Sequence, residues 1–95
     1  MASSGGSSRY RVQRRDSLWK IAGKSRIYGD SFKWPLLFIA NRSLIQDPDI
    51  IHIGWNLKVK RNLSSDSVAE AVQKAKETPR YQPHSAPREH LPIDY

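Results

Sequence analysis

The sequence predicts a small α+β domain: a two-stranded antiparallel sheet with two helices packed on one of its faces, in the order β-α-α-β. Three observations predict it. Tyr10 and Val12 alternate with polar Arg11 and Gln13, the period of a half-buried strand. Leu18, Ile21 and Ala22 recur at i, i+3 and i+4, the spacing of one buried helix face. Leu57 and Val59 alternate with Lys58 and Lys60, which marks a second strand. Two short strands that flank two helices close most simply by pairing with each other.

The elements follow in order. Residues 1–8, MASSGGSS, hold no large apolar side chain beyond Met1 and read as a flexible linker or a cloning remnant. The first strand covers residues 10–13, and Arg14-Arg15 is the turn after it. Either Asp16 or Ser17 caps the next helix, because a short side-chain oxygen accepts from an orphan amide of the first turn. Trp19 and Lys20 stand where Glu or Gln would complete a capping box. The helix ends near Gly23, and Tyr28-Gly29-Asp30-Ser31 reads as a turn. A second helix starts near residues 32–34, with Pro35 in its first turn where a missing N–H costs nothing, and runs to about Arg42. Leu36-Leu37-Phe38-Ile39-Ala40 is apolar nearly all round, so this helix is either the central core element or offers one face to a partner. Residues 43–53 form a loop, with Asp47-Pro48-Asp49 as its turn signal and a short helical turn around Leu44-Ile45. Gly54 supplies the backbone freedom to enter the last strand, residues 55–60.

Apolar residues are unevenly placed. All three Trp and both Phe lie between Trp19 and Trp55, so the foldable unit is residues 9–61, near the lower size limit for a domain without staples. There is no Cys, hence no disulfide or thiolate zinc site, and either redox compartment is compatible. No apolar run approaches the roughly 18 residues a spanning helix needs, and no export-signal pattern is visible at the N-terminus. Residues 62–95 are expected to be a flexible tail. Within it, residues 66–76 form at most a frayed helix, since Val68 and Val72 are a lone apolar pair that cannot offset ordering entropy. Residues 79–95 carry four Pro and little that packs, and are expected to be disordered.

Charge divides the chain the same way. The net charge of +7 splits into +8 over residues 9–61 (twelve Lys/Arg against four Asp/Glu) and −1 over residues 62–95 (four against five). Such a unit is drawn to anionic polymers, or is simply kept soluble by its charge. Arg14, Arg15, Lys20, Lys58, Lys60 and Arg61 are expected to converge, because the two strands are neighbours. No aromatic-basic motif of an RNA-binding sheet and no helix-turn-helix pattern is present, so nucleic acid is not the favoured partner.

The stretch YRVQRRDSLWKIA, followed by YGDSFKWPLLFIANRSLIQDPDIIHIGWNLKV, resembles the lysin motif (LysM) family over about 52 residues. Tyr10, Val12, Asp16, Leu18, Ile21, Ala22, Asn41, Pro48, Ile51, Gly54 and Leu57 carry the match. The YGD…W and IANR…DP segments resemble the subtype of bacterial envelope proteins and phage tail components. The resemblance implies a βααβ fold and binding of N-acetylglucosamine-containing glycan, peptidoglycan or chitin-like, in a groove between two loops. Carried onto this chain, the groove residues are Arg14, Arg15, Asp16, Ser17 and Leu18 on one side. Pro48, Asp49, Ile50, Ile51 and His52 lie on the other. Leu18, Ile50 or Ile51 would meet an acetamido methyl and loop peptides its amide. The chain departs from the family pattern at Arg15 (usually Gly), His52 (usually Tyr), Ile53 (usually Pro) and Trp55 (usually polar).

Other candidates have simpler readings. Asp47 and Asp49 sit two apart beside Pro48 and read as turn residues, not as a carboxylate pair for glycoside cleavage. His52, His84 and His90 show no metal-ligand spacing, and Ser17 has no nucleophile-elbow context. No cofactor or metal is expected, and no catalysis. Trp19 and Trp34 are expected in or beside the core. Trp55 either exposes its face to stack on a sugar or partner, or packs on the second helix.

Two functions remain open at this level. One is a non-catalytic glycan-binding module that anchors a protein or assembly to the wall of the bacterial envelope. The other is the same fold used as a structural adaptor, contacting a protein through the second helix, Trp55 or the tail.

Overall fold

The computed structural model describes residues 7–78 together with Leu91, Ile93 and Tyr95. Residues 1–6 of the expected linker at residues 1–8, and most of the expected disordered stretch at residues 79–95, lie outside the described residues. The order of elements is β1 (Ser7–Arg11), α1 (Leu18–Gly23), a 3-10 turn (Ser31–Lys33), α2 (Trp34–Ala40), β2 (Asn56–Lys60) and α3 (Ser65–Glu77). The two strands pair antiparallel, with Tyr10 opposite Leu57 and Arg9 opposite Lys58. This is the α+β, β-α-α-β arrangement the sequence predicts.

Each strand splits its side chains between two faces, as a pleat requires. Tyr10, Leu57 and Val59 are buried, while Arg9, Arg11, Asn56, Lys58 and Lys60 face solvent. The ladder continues past β1, since the Val12 amide donates to the Trp55 carbonyl at 2.8 Å and Gly54 donates to the Val12 carbonyl at 2.9 Å. Gly54 makes this entry at φ +91°, a conformation that an L side chain adopts only with strain.

The inward residues of both strands meet Leu18, Ile21, Ala22, Ile27, Leu37, Phe38 and Ile45 in one apolar cluster. Each fully buried Leu, Ile or Phe contributes about 1.5–3 kcal/mol, and this burial holds a domain of this size together. At Gly23, a Cβ would run into the Ser31 hydroxyl, so glycine lets the end of α1 approach the 3-10 turn.

Two polar side chains seal what the core leaves open. Asn41, buried just past α2, donates its amide to the Leu37 carbonyl (2.8 Å) and the Lys58 carbonyl (2.9 Å). Its Oδ1 accepts from the Lys58 amide at 2.8 Å. Lys58 therefore turns its peptide away from β1, and Asn41 satisfies the outer edge of β2 as a neighbouring strand would. At the other end of the sheet, the Arg61 guanidinium donates to the carbonyls of Ile27 and Arg26 (2.7 Å to the latter) and to the Ser8 hydroxyl at 3.2 Å. The Tyr28 hydroxyl donates to the Lys60 carbonyl at 3.0 Å. The loop between the helices is thereby fastened to the strand ends.

Several details differ from the sequence expectations. Strand β2 begins at Asn56 and β1 reaches back to Ser7. The start of the second helix is a 3-10 turn, capped by Asp30 accepting from the Phe32 amide at 3.0 Å. The segment around Leu44 and Ile45 is, as expected, a single helical turn, with both amides donating to the Asn41 carbonyl at 2.9 and 2.7 Å. Trp19 lies outside the core, 48% exposed, whereas Trp34 is buried. The segment expected to fray is a 13-residue helix packed against α2 and the 3-10 turn. Its inward residues are Ala71, which is buried, and Ala75, rather than Val68 and Val72 alone. Small side chains at i and i+4 let α3 lie close to α2, and this covers the apolar face that the sequence left without a partner. Ser64 caps α3 by accepting from the Ser67 amide at 3.1 Å; Asp66 in its first turn and Lys74 and Lys76 in its last complement the helix dipole.

Candidate functional site

The turn after β1 brings the first wall of a groove into place. Asp16 donates its amide to the Gln13 carbonyl at 3.1 Å, closing a four-residue turn with Arg14 and Arg15 in the middle. Arg15 sits at φ 68°, in the left-handed region that usually calls for glycine. Asp16 holds the turn shut. Its Oδ2 accepts from the Tyr10 hydroxyl at 2.6 Å and from the Gln13 amide at 2.8 Å. Of the two residues expected to cap α1, Ser17 does so, with its hydroxyl accepting from the Lys20 amide at 3.1 Å. Asp16 is a turn clamp, because its carboxylate is already committed to Tyr10 and Gln13.

This arrangement shifts Tyr10. Burial, reinforced by the adjacent Asp16 carboxylate, pushes its phenol up to about 12. Lys24 and Arg26 stand over its ring, at 5.8 and 5.4 Å from the centroid. The Tyr28 phenol is also raised by burial, with Arg61 acting in the opposite sense.

The second wall is the loop before β2. Asp47 is buried; its Oδ1 accepts from the Asp49 amide at 3.0 Å and its carbonyl from the Ile50 amide at 2.9 Å. Asp47-Pro48-Asp49 is thus a turn built on an aspartate side chain, as its composition suggests.

Between the two walls runs a groove of about 570 Å³ lined by Asp16, Ser17, Leu18, Trp19, Trp34, Pro48, Asp49, Ala75 and Thr78. Five residues carried over from the resemblance line it: Asp16, Ser17, Leu18, Pro48 and Asp49. Arg14, Arg15, Ile50, Ile51 and His52 belong to the same loops but do not line it. Trp55 stands apart as well, half-buried against the core with the His52 ring edge-on at 4.7 Å. Ile53 beside it is 68% exposed.

Sequence reasoning missed four lining residues. Trp19 sets an exposed indole at the groove edge, held by a T-shaped contact with Phe32 at 4.9 Å. Its position one residue after Leu18, off the i, i+3, i+4 face, was the available signal. Trp34 forms the floor, and the Tyr95 ring packs against it at 5.4 Å. Ala75 and Thr78 come from α3; Thr78 shares a 2.6 Å hydrogen bond with the Tyr95 hydroxyl. These contributions arise from tertiary packing and have no local signal.

The expected convergence of six cations is only partly formed. Arg61 is tied to backbone carbonyls, and the Lys20 ammonium donates to the Arg15 carbonyl at 3.2 Å. Lys58 and Lys60 lie on the solvent face of the sheet, in register with Arg9 and Ser7. No group of His, Cys, Asp and Glu suited to hold a metal occurs among the described residues. No helix among them is long and apolar enough to cross a membrane.

Neither a curated protein nor a solved structure matches the chain. The model of the LysM domain matches residues 10–60, from the first buried tyrosine to the end of β2. That span is more than half of the chain, it coincides with the β-α-α-β unit, and the chain belongs to the LysM domain family.

Proposed function

We propose that this chain is a non-catalytic carbohydrate-binding module. It seats an N-acetylglucosamine-containing glycan, peptidoglycan or a chitin-like chain, in the groove between the β1–α1 turn and the loop before β2. In doing so it anchors a protein or assembly to the wall of a bacterial envelope. LysM domains generally bind such glycans, and the single observation that carries the reading here is the groove itself. Its volume falls in the range of small-ligand sites, and its lining combines apolar surface with a few polar groups. Leu18 and Pro48 offer apolar surface to an acetamido methyl, Ser17 and Asp49 offer polar atoms to hydroxyl and amide groups, and the Trp19 indole offers a flat face to a pyranose ring. One open groove holds a glycan weakly, so firm attachment comes from several copies acting together.

The adaptor reading has less surface to work with. Helix α3 lies against α2 and Trp55 packs partly into the core, which leaves Ile39 on α2, Leu44 and Ile53 as scattered exposed apolar contacts.

Sedimentation with purified sacculi at low and high salt, with chitooligosaccharide as competitor, tests the proposal. Salt-resistant, competed binding that is lost in Trp19→Ala supports the groove. Absence of binding at both salt levels would sink the glycan reading.

A further inference from the structure

The solvent face of the sheet carries charge that neither the fold nor the groove uses. Arg9 and Arg11 on β1 and Lys58 and Lys60 on β2 are all exposed. Among the described residues none of these four side chains has a hydrogen bond or ion pair. The helices lie on the opposite face of the sheet, and the described acidic residues are in turns and helices, none on a strand. Arg9 and Lys58 are direct cross-strand partners. Because Lys58 gives its peptide to Asn41, this pair occupies the non-hydrogen-bonded position, where facing side chains come closest. Like charges placed directly opposite destabilise a sheet. The fold alone would be better served by a neutral or acidic residue at either site.

We propose that this face is a second binding surface, for a linear phosphodiester polymer of the wall in which polyol units bridge the phosphates. Cations two residues apart on one strand stand about 6.8 Å apart, and the second strand lays a parallel row about 5 Å away. A polymer whose consecutive phosphates are separated by a short polyol presents anions at a comparable interval along a flexible chain. Arg9 and Arg11 offer planar forks that match phosphate oxygens, and Lys58 and Lys60 offer point charges. The face carries no aromatic residue, so it has no platform on which bases would stack, which favours a base-free polymer over single-stranded nucleic acid. None of the groove-lining residues lies on either strand, so both surfaces can be occupied at once. The choice of a wall polymer rests on the glycan reading above, and the test scores the two separately.

The full chain is titrated with poly(glycerol phosphate), with single-stranded DNA of equal phosphate number, and with a chitooligosaccharide. The expected result is polymer binding that weakens about tenfold between 50 and 200 mM salt, as phosphate contacts do. The Arg9→Gln/Lys58→Gln double variant should lose at least about fivefold of it, while its thermal midpoint is unchanged or higher because the facing like charges are gone. Arg14→Gln should retain it, since that residue lies in the turn. No polymer binding at 50 mM salt, polymer binding that the double variant leaves unchanged, or tighter binding of DNA than of polymer overturns the proposal. Loss of chitooligosaccharide binding alone overturns the groove reading and leaves this one standing.

Discussion

Asn41 and Asp16 each anchor a strand residue beside a helix end, but the two joints differ in how much they leave over. Asn41 is buried and uses its amide on three backbone partners, Leu37 and both polar groups of Lys58. No strain accompanies it. Asp16 is half-buried, binds Tyr10 and Gln13, and closes a turn that forces Arg15 into the left-handed region. The Asn41 joint serves the fold alone. The Asp16 joint also forms one wall of the groove, and it keeps strain and an exposed rim. One joint thus serves packing alone, while the other serves packing and shapes the groove as well.

The largest expected effect breaks the first joint. Asn41→Ala leaves the amide and carbonyl of Lys58 unpaired at a part-buried edge and removes the buried bond to Leu37, and should destabilise the protein on the order of 2–4 kcal/mol, measured by urea unfolding. A loss below about 1 kcal/mol would show that water replaces the side chain there.

Asp16→Ala should cost less, on the order of 1–2 kcal/mol, because its partners lie nearer solvent although the Tyr10 hydroxyl loses its acceptor. The same variant should bring the Tyr10 phenol part of the way back toward its ordinary value, read by ultraviolet titration; burial keeps the remainder.

Alkaline pH probes the same joint without mutation. The folded-state pKa of Tyr10, about 12, lies above its ordinary value of 10.0, so the folded protein binds more protons between them. The stability Tyr10 contributes is complete below pH 10 and is lost as pH rises toward 12, and Tyr28 acts in the same direction. Unfolding midpoints should fall across that window, and a flat profile would contradict the coupling.

The smallest effect has the opposite sign. Arg15→Gly should stabilise the fold by about 1 kcal/mol, since glycine adopts a positive φ without the cost an L side chain meets. That is a rise of roughly 4–8 °C in thermal midpoint for a domain of this size. A fall would mean that the Arg15 side chain makes a contribution larger than its strain.

Much of the fold was legible because it rests on local periodicity. The alternation at Tyr10 and Val12, the i, i+3, i+4 set at Leu18, Ile21 and Ala22, and the alternation at Leu57 and Val59 each name an inward face, and those faces can meet in few ways. Turn chemistry was equally readable at Asp47-Pro48-Asp49 and Gly54. The site was legible only in part. Five of its lining residues sit in the two loops that the family resemblance indicated, whereas Ala75 and Thr78 reach it from a helix outside the matched span.

By itself, then, the sequence determined the β-α-α-β order, the main buried faces, the turn residues and the family, because each depends on side chains close together along the chain. The tertiary structure alone decided that α3 would dock on α2 through Ala71 and Ala75, and that Trp19 would stand at the edge of the groove. It also decided that Arg61 would be spent on carbonyls while Arg9 and Lys58 face each other across the sheet. Those outcomes depend on residues distant in sequence filling one shared space, and no local pattern encodes which small side chain will lie under which large one.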